Sequence, residues 1–266
     1  MMRGIAQTQQ RDRGTVCRLT LPVLTLLVVT LTLARCAATE QTPQAPQAPQ
    51  GNGAFLEVLS ERAPSADAHV QSQVLEPTRP TVERWATVGE GAPFEIRASV
   101  TGSEGNERWT RTEPAATRVL ARTAADEVTL IEQTDSSDGA TTRFLQPLIL
   151  APADLRVGEE CTSTSVVLTL RGDAIDNDGG RAQRSMKLAS EDRIRTPLGE
   201  LSALRIDSVF TMKVPFASMR RETSTWIRAG DGPVAIRSVE KILVMGVVPR
   251  NRSETRVRLP ATGWTP

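Results

Sequence analysis

Polar and apolar residues alternate with period two along much of this chain. Leu204, Ile206, Phe210, Met212, Val214 and Phe216 share one parity, and Arg205, Asp207, Thr211 and Lys213 share the other. Successive side chains of a strand point to opposite faces, so the first set is predicted to be buried and the second to meet solvent. Val166, Leu168 and Leu170 repeat the pattern, as do Val128 with Leu130 and Val257 with Leu259. Nothing of comparable length has helical spacing. Residues 118–125 fit a short helix or a strand equally well.

Turn residues punctuate these runs at hairpin distances. Ser137-Asp138-Gly139 is read as joining a strand that ends near Thr134 to one that starts at Thr141. Asn177-Asp178-Gly179-Gly180 is read as joining Ser163–Arg171 to Gln183–Ser190. Asp-Gly pairs supply the positive φ angles of tight hairpin turns. Pro197-Leu198-Gly199 and Gly230-Asp231-Gly232-Pro233 mark two further reversals. About eight to eleven strands at this spacing predict a mainly β domain, either an antiparallel sandwich or an open, curved, barrel-like sheet.

Ahead of the strands the pattern changes. Leu19–Ala34 is an apolar run of 16 residues, preceded by Arg3, Arg11, Arg13 and Arg18 and one acid, Asp12. A positive head, an apolar centre and a small-residue or cysteine stop make an export signal. The run falls short of the roughly 20 residues of a spanning helix, and Pro22 weakens it as an anchor. Leu33-Ala34-Arg35-Cys36 resembles a bacterial lipoprotein signal, whose cysteine is acylated, although Arg35 stands where a small residue is usual. Residues 1–36 are therefore expected to be a lipoprotein-like export signal lipidated at Cys36, or else an uncleaved anchor helix. Ordinary cleavage around Cys36-Ala37-Ala38 is the third alternative. Each places the remainder outside the cytoplasm, in the periplasm or at the cell surface, and acyl chains on Cys36 would hold it at the membrane. Residues 37–53, rich in Pro, Gln and Ala, read as a disordered linker, and residues 54–266 as the β domain.

Composition narrows the function classes. Removing residues 1–36 takes away five of the 32 basic residues and one of the 31 acids, leaving 27 against 30. No basic run interleaved with aromatics appears, so nucleic acid is not an expected partner. Cys161 lacks an intramolecular partner in a processed chain other than Cys36, and reads as a structural thiol. His69 is the single histidine, so any Ser-His or Cys-His catalytic set would have to use it, and a His-rich zinc site is excluded. With no tyrosine, an aromatic binding platform would rest on Trp85, Trp109, Trp226 and Trp264, which read more simply as packing residues. Asp173, Asp176 and Asp178 before Gly179 look like a calcium loop, but the register would put Ala174 and Ser185 at ligand positions, which favours a turn. Arg171-Gly172-Asp173 spells an adhesion tripeptide at the start of that turn, and Asn251-Arg252-Ser253 a glycosylation sequon; neither is assigned a role. Glu159-Glu160, Glu191-Asp192 and Asp207 are the carboxylates that could serve a hydrolase if two shared a cleft. No catalytic residue, metal ligand or cofactor is assigned.

A weak echo, Thr87-Val88-Gly89-Glu90 and Arg156-Val157-Gly158-Glu159, divides the domain into two possible halves, about 80–147 and 148–260. Three stretches carry a resemblance. They are Pro147–Leu150 with Ala153–Glu159, Glu191 through Ile206 (EDRIRTPLGELSALRI), and Thr225–Val234 (TWIRAGDGPV). In this order they are similar to the TapB-like bacterial envelope proteins. The signature residues are Gly158, Pro197, Gly199, Trp226, Gly230 and Gly232; Cys161, Leu201 and Asp231 depart from the pattern. The resemblance implies a β-rich exported domain and supplies no catalytic residue. The chain is thus expected to be a membrane-tethered, non-enzymatic envelope module that is structural or binds a ligand or envelope protein. A carrier of an apolar ligand in a β cavity is the main alternative, and a carboxylate-dependent hydrolase the lesser one.

Overall fold

Strand follows strand around a closed wall. The computed structural model describes residues 53–76, 80–101 and 108–261; residues 1–36 with Cys36, expected to be a leader, residues 37–52 of the expected linker, and Trp264 lie outside the described residues. The first half of the wall consists of β3 (Thr81–Thr87), β4 (Glu90–Thr101), β5 (Arg108–Thr112), β6 (Ala116–Arg122), β7 (Val128–Asp135) and β8 (Ala140–Ala151). The second consists of β10 (Glu160–Arg171), β11 (Ala174–Thr196), β12 (Gly199–Val214), β13 (Ala217–Arg228), β14 (Gly232–Val244) and β15 (Val248–Arg258). Each pairs antiparallel with its neighbour. The last strand pairs with the first through Arg256↔Thr87, Val257↔Ala86 and Arg258↔Trp85, so the twelve strands form an up-and-down barrel. Of the two forms expected from sequence, the barrel is the one adopted. Closure removes the unpaired edges that an open sheet would expose.

Three readings of the sequence need correction. The β10–β11 hairpin turns at Gly172-Asp173, where Gly172 has φ +60°, and Asn177–Gly180 lies inside β11. Residues 177–180 produce register shifts opposite Val167–Leu170 instead of a turn. At Gly180 a Cβ atom would sit 2.4 Å from Val167 Cγ2, so the missing side chain makes room for the wall to pack. Val166 and Leu168 also lie on the outer face, half-buried, while Ser163, Ser165 and Val167 face inward. The alternation inverts there because part of the lumen is polar. Phe216, expected to be buried, sits in the β12–β13 turn with 48% of its surface exposed.

One end of the barrel is filled. The segment β2 (His69–Gln71) and α1 (Ser72–Leu75) packs with β9 (Asp154–Arg156), and Val70, Leu75 and Leu155 are buried with inward-facing Leu148, Ile206 and Ile227. Burying a side chain of this size contributes roughly 1.5–3 kcal/mol, which is what seats a short segment with little structure of its own. Gly232 accepts the plug closely, since a Cβ there would lie 3.1 Å from the Val74 carbonyl oxygen.

A second apolar cluster lies on the outer face at the same end. The register shift between Leu188 and Ser190 turns Asp192 and Ile194 outward. They join Leu201, Ala203, Trp226, Ala235 and Val257 beneath β1 (Glu57–Arg62), which pairs with the last turn-proximal part of β11. The pattern of the sequence, with Leu201 and Ala203 out of phase with Leu204 and Ile206, reflects this two-sided burial.

Candidate functional site

Opposite the plug, alternate turns of the meander share the other end of the barrel: residues 113–115, 136–139, 172–173, 215–216 and 245–247. Between that end and the plug lies a cavity of about 320 Å³, walled by β5–β8 and β11–β15. The volume falls in the range of small-molecule pockets. Exposed Asp135 and Arg252 stand on its lining, so it opens to solvent. Glu76, just after α1, forms part of its floor.

The lining is one parity of each strand except β7, where a register shift separates Leu130 from Gln133 and Asp135. Apolar residues come from Leu130, Phe144, Leu148, Phe210, Met212 and Met219, and six arginines and five carboxylates stand among them. Most of the charges are matched. Glu113, buried, meets Arg118 at 2.7 Å, Arg256 at 2.9 Å and Arg111 at 3.3 Å. Burial by itself would raise its pKa, but Arg118, Arg111 and Arg256 outweigh this and hold it down at about 2. Arg111 also donates to Glu76 at 2.5 Å, Arg256 to Glu254 at 2.7 Å, and Arg221 pairs with Glu240. Arg252 reaches Glu254 at 3.5 Å.

Arg184 is different. It projects inward from β11 between Ser163 of β10 and Phe210 of β12, and its Nε is buried without a hydrogen-bond partner. No carboxylate pairs with it among the described residues. Its surface is partly accessible from the cavity, yet protein surrounds it, and burial brings its pKa down to about 10 against the pull of Glu76.

The wall is also irregular beside Arg184. Strand β8 pairs with β10 only from Ala140 to Phe144, and residues 144–147 bulge away from β7 opposite Ile131. Side chains take over where the ladder stops: the Val166 amide donates to Gln146 Oε1 at 2.9 Å and the Ile149 amide to Ser163 Oγ at 3.1 Å. Pro147, which has no amide hydrogen, sits in this gap.

None of the signature residues or candidate chemical groups named from sequence lines the cavity, although Leu130, Phe210 and Met212 of the alternating pattern do. Gly158 (φ +82°) forms the β9–β10 turn, Pro197 and Gly199 (φ +98°) the β11–β12 turn, and Gly230 and Gly232 the β13–β14 turn. Trp226 is buried in the outer cluster, where its Nε1 donates to Asp192 at 2.7 Å. The candidate carboxylates are likewise spread out. Asp192 is fully buried with Trp226, Asp207 accepts from Ser224, Glu191 binds Arg62 and Ser202, and Glu159 and Glu160 are exposed. His69 is exposed on β2, and Cys161 is half-buried with its thiol pushed up by burial. Among the described residues no cluster of three or more His, Cys, Asp or Glu could hold a metal, and no helix is long and apolar enough to cross a membrane. Sequence reading missed the lumen arginines because it assigned polar strand positions to solvent. The available signal was in β13 and β15, where both parities are polar.

No protein-family model matches the chain, and no curated protein sequence matches it. Among solved structures it is similar to the hypothetical lipoprotein YmcC from Escherichia coli, at 10% sequence identity. The alignment covers 74% of this chain and 93% of that one, with a TM-score of 0.35, and no residue role is carried over from it.

Proposed function

We propose that this is an exported, membrane-held, non-enzymatic barrel that accommodates a small amphipathic molecule in its lumen. The observation that carries the reading is the 320 Å³ cavity, closed by a plug at one end, open at the other, and lined by both apolar side chains and arginines. The ligand is amphipathic and not simply apolar, because a purely apolar guest would strand the inward-facing charges without water. The hydrolase alternative loses support because the Glu113 carboxyl is held ionised by three arginines, so it has no proton to donate near neutral pH.

Support for a membrane address comes from the leader, from the resemblance to envelope proteins, and from the open end of the barrel. Phe216, Met245 and Val247 are exposed on two neighbouring hairpin tips, tied together by the Met245 amide donating to the Phe216 carbonyl at 2.7 Å. Lys213, Arg220, Lys241 and Arg250 flank them, and no acid occurs in residues 213–220 or 241–250. Apolar tips within a cationic collar suit an anionic lipid surface.

Solvent extraction of the purified full chain followed by mass spectrometry tests the lumen reading. A stoichiometric small amphiphile is expected, and an empty lumen that also fails to take up added amphiphiles would refute it. The address is tested by intact mass and membrane partitioning of the mature protein beside Cys36→Ala. Identical soluble chains from both would exclude lipidation.

A further inference from the structure

We infer that Arg184 is the anion seat of the lumen, and that the ligand is an aliphatic monocarboxylate with its head on Arg184 and its chain along Phe210, Met212 and Met219. The inference rests on the lumen being a binding site and names the chemical class of its occupant.

Three observations converge on it. First, every other arginine of the lining meets a carboxylate, namely Arg111, Arg118, Arg221, Arg252 and Arg256, and Arg184 meets none among the described residues. Six arginines against five carboxylates leave one positive charge over, which one singly charged anion balances. Second, the side chain is enclosed and its Nε lacks a partner, while its pKa is lowered to about 10, as for a cation without its counter-charge. A planar guanidinium presents paired donors that match a carboxylate. Third, the surroundings are apolar on the side that leads out. Phe210 is the cross-strand neighbour of Arg184, and Met212 and Met219, which face one another across β12 and β13, continue from it toward the open end. Polar Ser163 lies on the β10 side, and its hydroxyl, which accepts from the Ile149 amide, keeps its hydrogen to donate to the head group.

The geometry also disfavours a polyanion. Only one cation is in excess, and the nearby carboxylate of Glu76 would repel a second negative charge. The modest volume fits a single short chain.

The test titrates the full chain with sodium octanoate, 1-octanol and inorganic phosphate, read by calorimetry, in the wild type, Arg184→Leu and Arg184→Lys. Octanoate is expected to bind about ten- to a hundredfold more tightly than octanol. Arg184→Leu should remove that preference while leaving octanol binding intact, which also shows that the variant is folded, and Arg184→Lys should retain most of it. Equal binding of octanoate and octanol by the wild type would overturn the anion seat, as would undiminished octanoate binding by Arg184→Leu. Phosphate binding as strongly as octanoate would overturn the aliphatic assignment in favour of a free anion. If none of the three probes binds, the lumen reading itself fails, and this inference with it.

Discussion

Replacing Glu113 with glutamine should reveal how much of the barrel's stability comes from one buried carboxylate. The amide keeps the shape of the side chain and removes its charge. Burial, Arg118, Arg111 and Arg256 together set the Glu113 pKa at about 2, against an ordinary value of 4.5. A carboxylate whose folded pKa lies below its unfolded one stabilises the fold fully above the unfolded value. That stability is lost as pH falls from 4.5 toward 2. A difference of about 2.5 pH units, at about 1.36 kcal/mol each, corresponds to about 3 kcal/mol at pH 7. In a domain of this size it lowers the melting temperature by about 6 to 12 °C. The variant leaves Arg118 with Gln133 at 3.1 Å as its remaining partner, whereas Arg111 and Arg256 keep Glu76 and Glu254. Thermal melts followed by the fluorescence of buried Trp85, Trp109 and Trp226 at pH 7, 4 and 2.5 measure the gap. It should be full at pH 7 and shrink to about a quarter of that at pH 2.5, just above the folded pKa of about 2. A gap that stays constant across this range would show that Glu113 stabilises by packing and would refute the electrostatic account.

Three further outcomes follow from the wall and the outer cluster. Gly180→Ala should cost about 1–3 kcal/mol, because its methyl group would meet buried Val167 at 2.4 Å and Val214 at 3.0 Å; a neutral melt would mean that β10 and β11 can separate freely there. Asp192→Ala should destabilise by about 1–3 kcal/mol and change the near-ultraviolet dichroism of Trp226, whose buried N–H loses its acceptor. Asp192→Asn, which can still accept that bond, should cost less, and an equal loss in both would argue against the bond. Cys161, with its thiol pushed up first by burial and then by Glu127, should react with iodoacetamide at pH 8 severalfold more slowly than free cysteine; a matching rate would contradict its enclosure.

Much of the fold was legible because strand periodicity and turn chemistry are local. Alternation from Leu204 to Val214 marks β12, and Gly139, Gly199 and Gly230 punctuate hairpins because tight reversals need positive φ. The echo of Val88-Gly89 with Val157-Gly158 falls on two turns in which both glycines have φ near +80°, so shared turn chemistry suffices to explain the likeness. The turn at Asn177–Gly180 was misplaced because its residues are equally suited to register shifts inside a strand, and only the facing positions of β10 decide between the two.

The candidate site was not legible, and the reason is physical. Sequence alternation separates two faces but does not say which one meets water. In a sandwich the polar face is outside; in a closed barrel the inward face can itself be polar, which is how Arg111, Arg184, Arg221 and Arg256 come to point at one another from strands far apart in the chain. The pairing of β15 with β3 creates that interior, and it brings Glu113 within reach of Arg256, 143 positions along. Thus the sequence by itself determined a mainly β chain and its principal reversals. Only the tertiary structure decided that the sheet closes, that a plug fills one end, and that among its inward arginines Arg184 stands without a counter-charge, because charge balance is a property of neighbours in space.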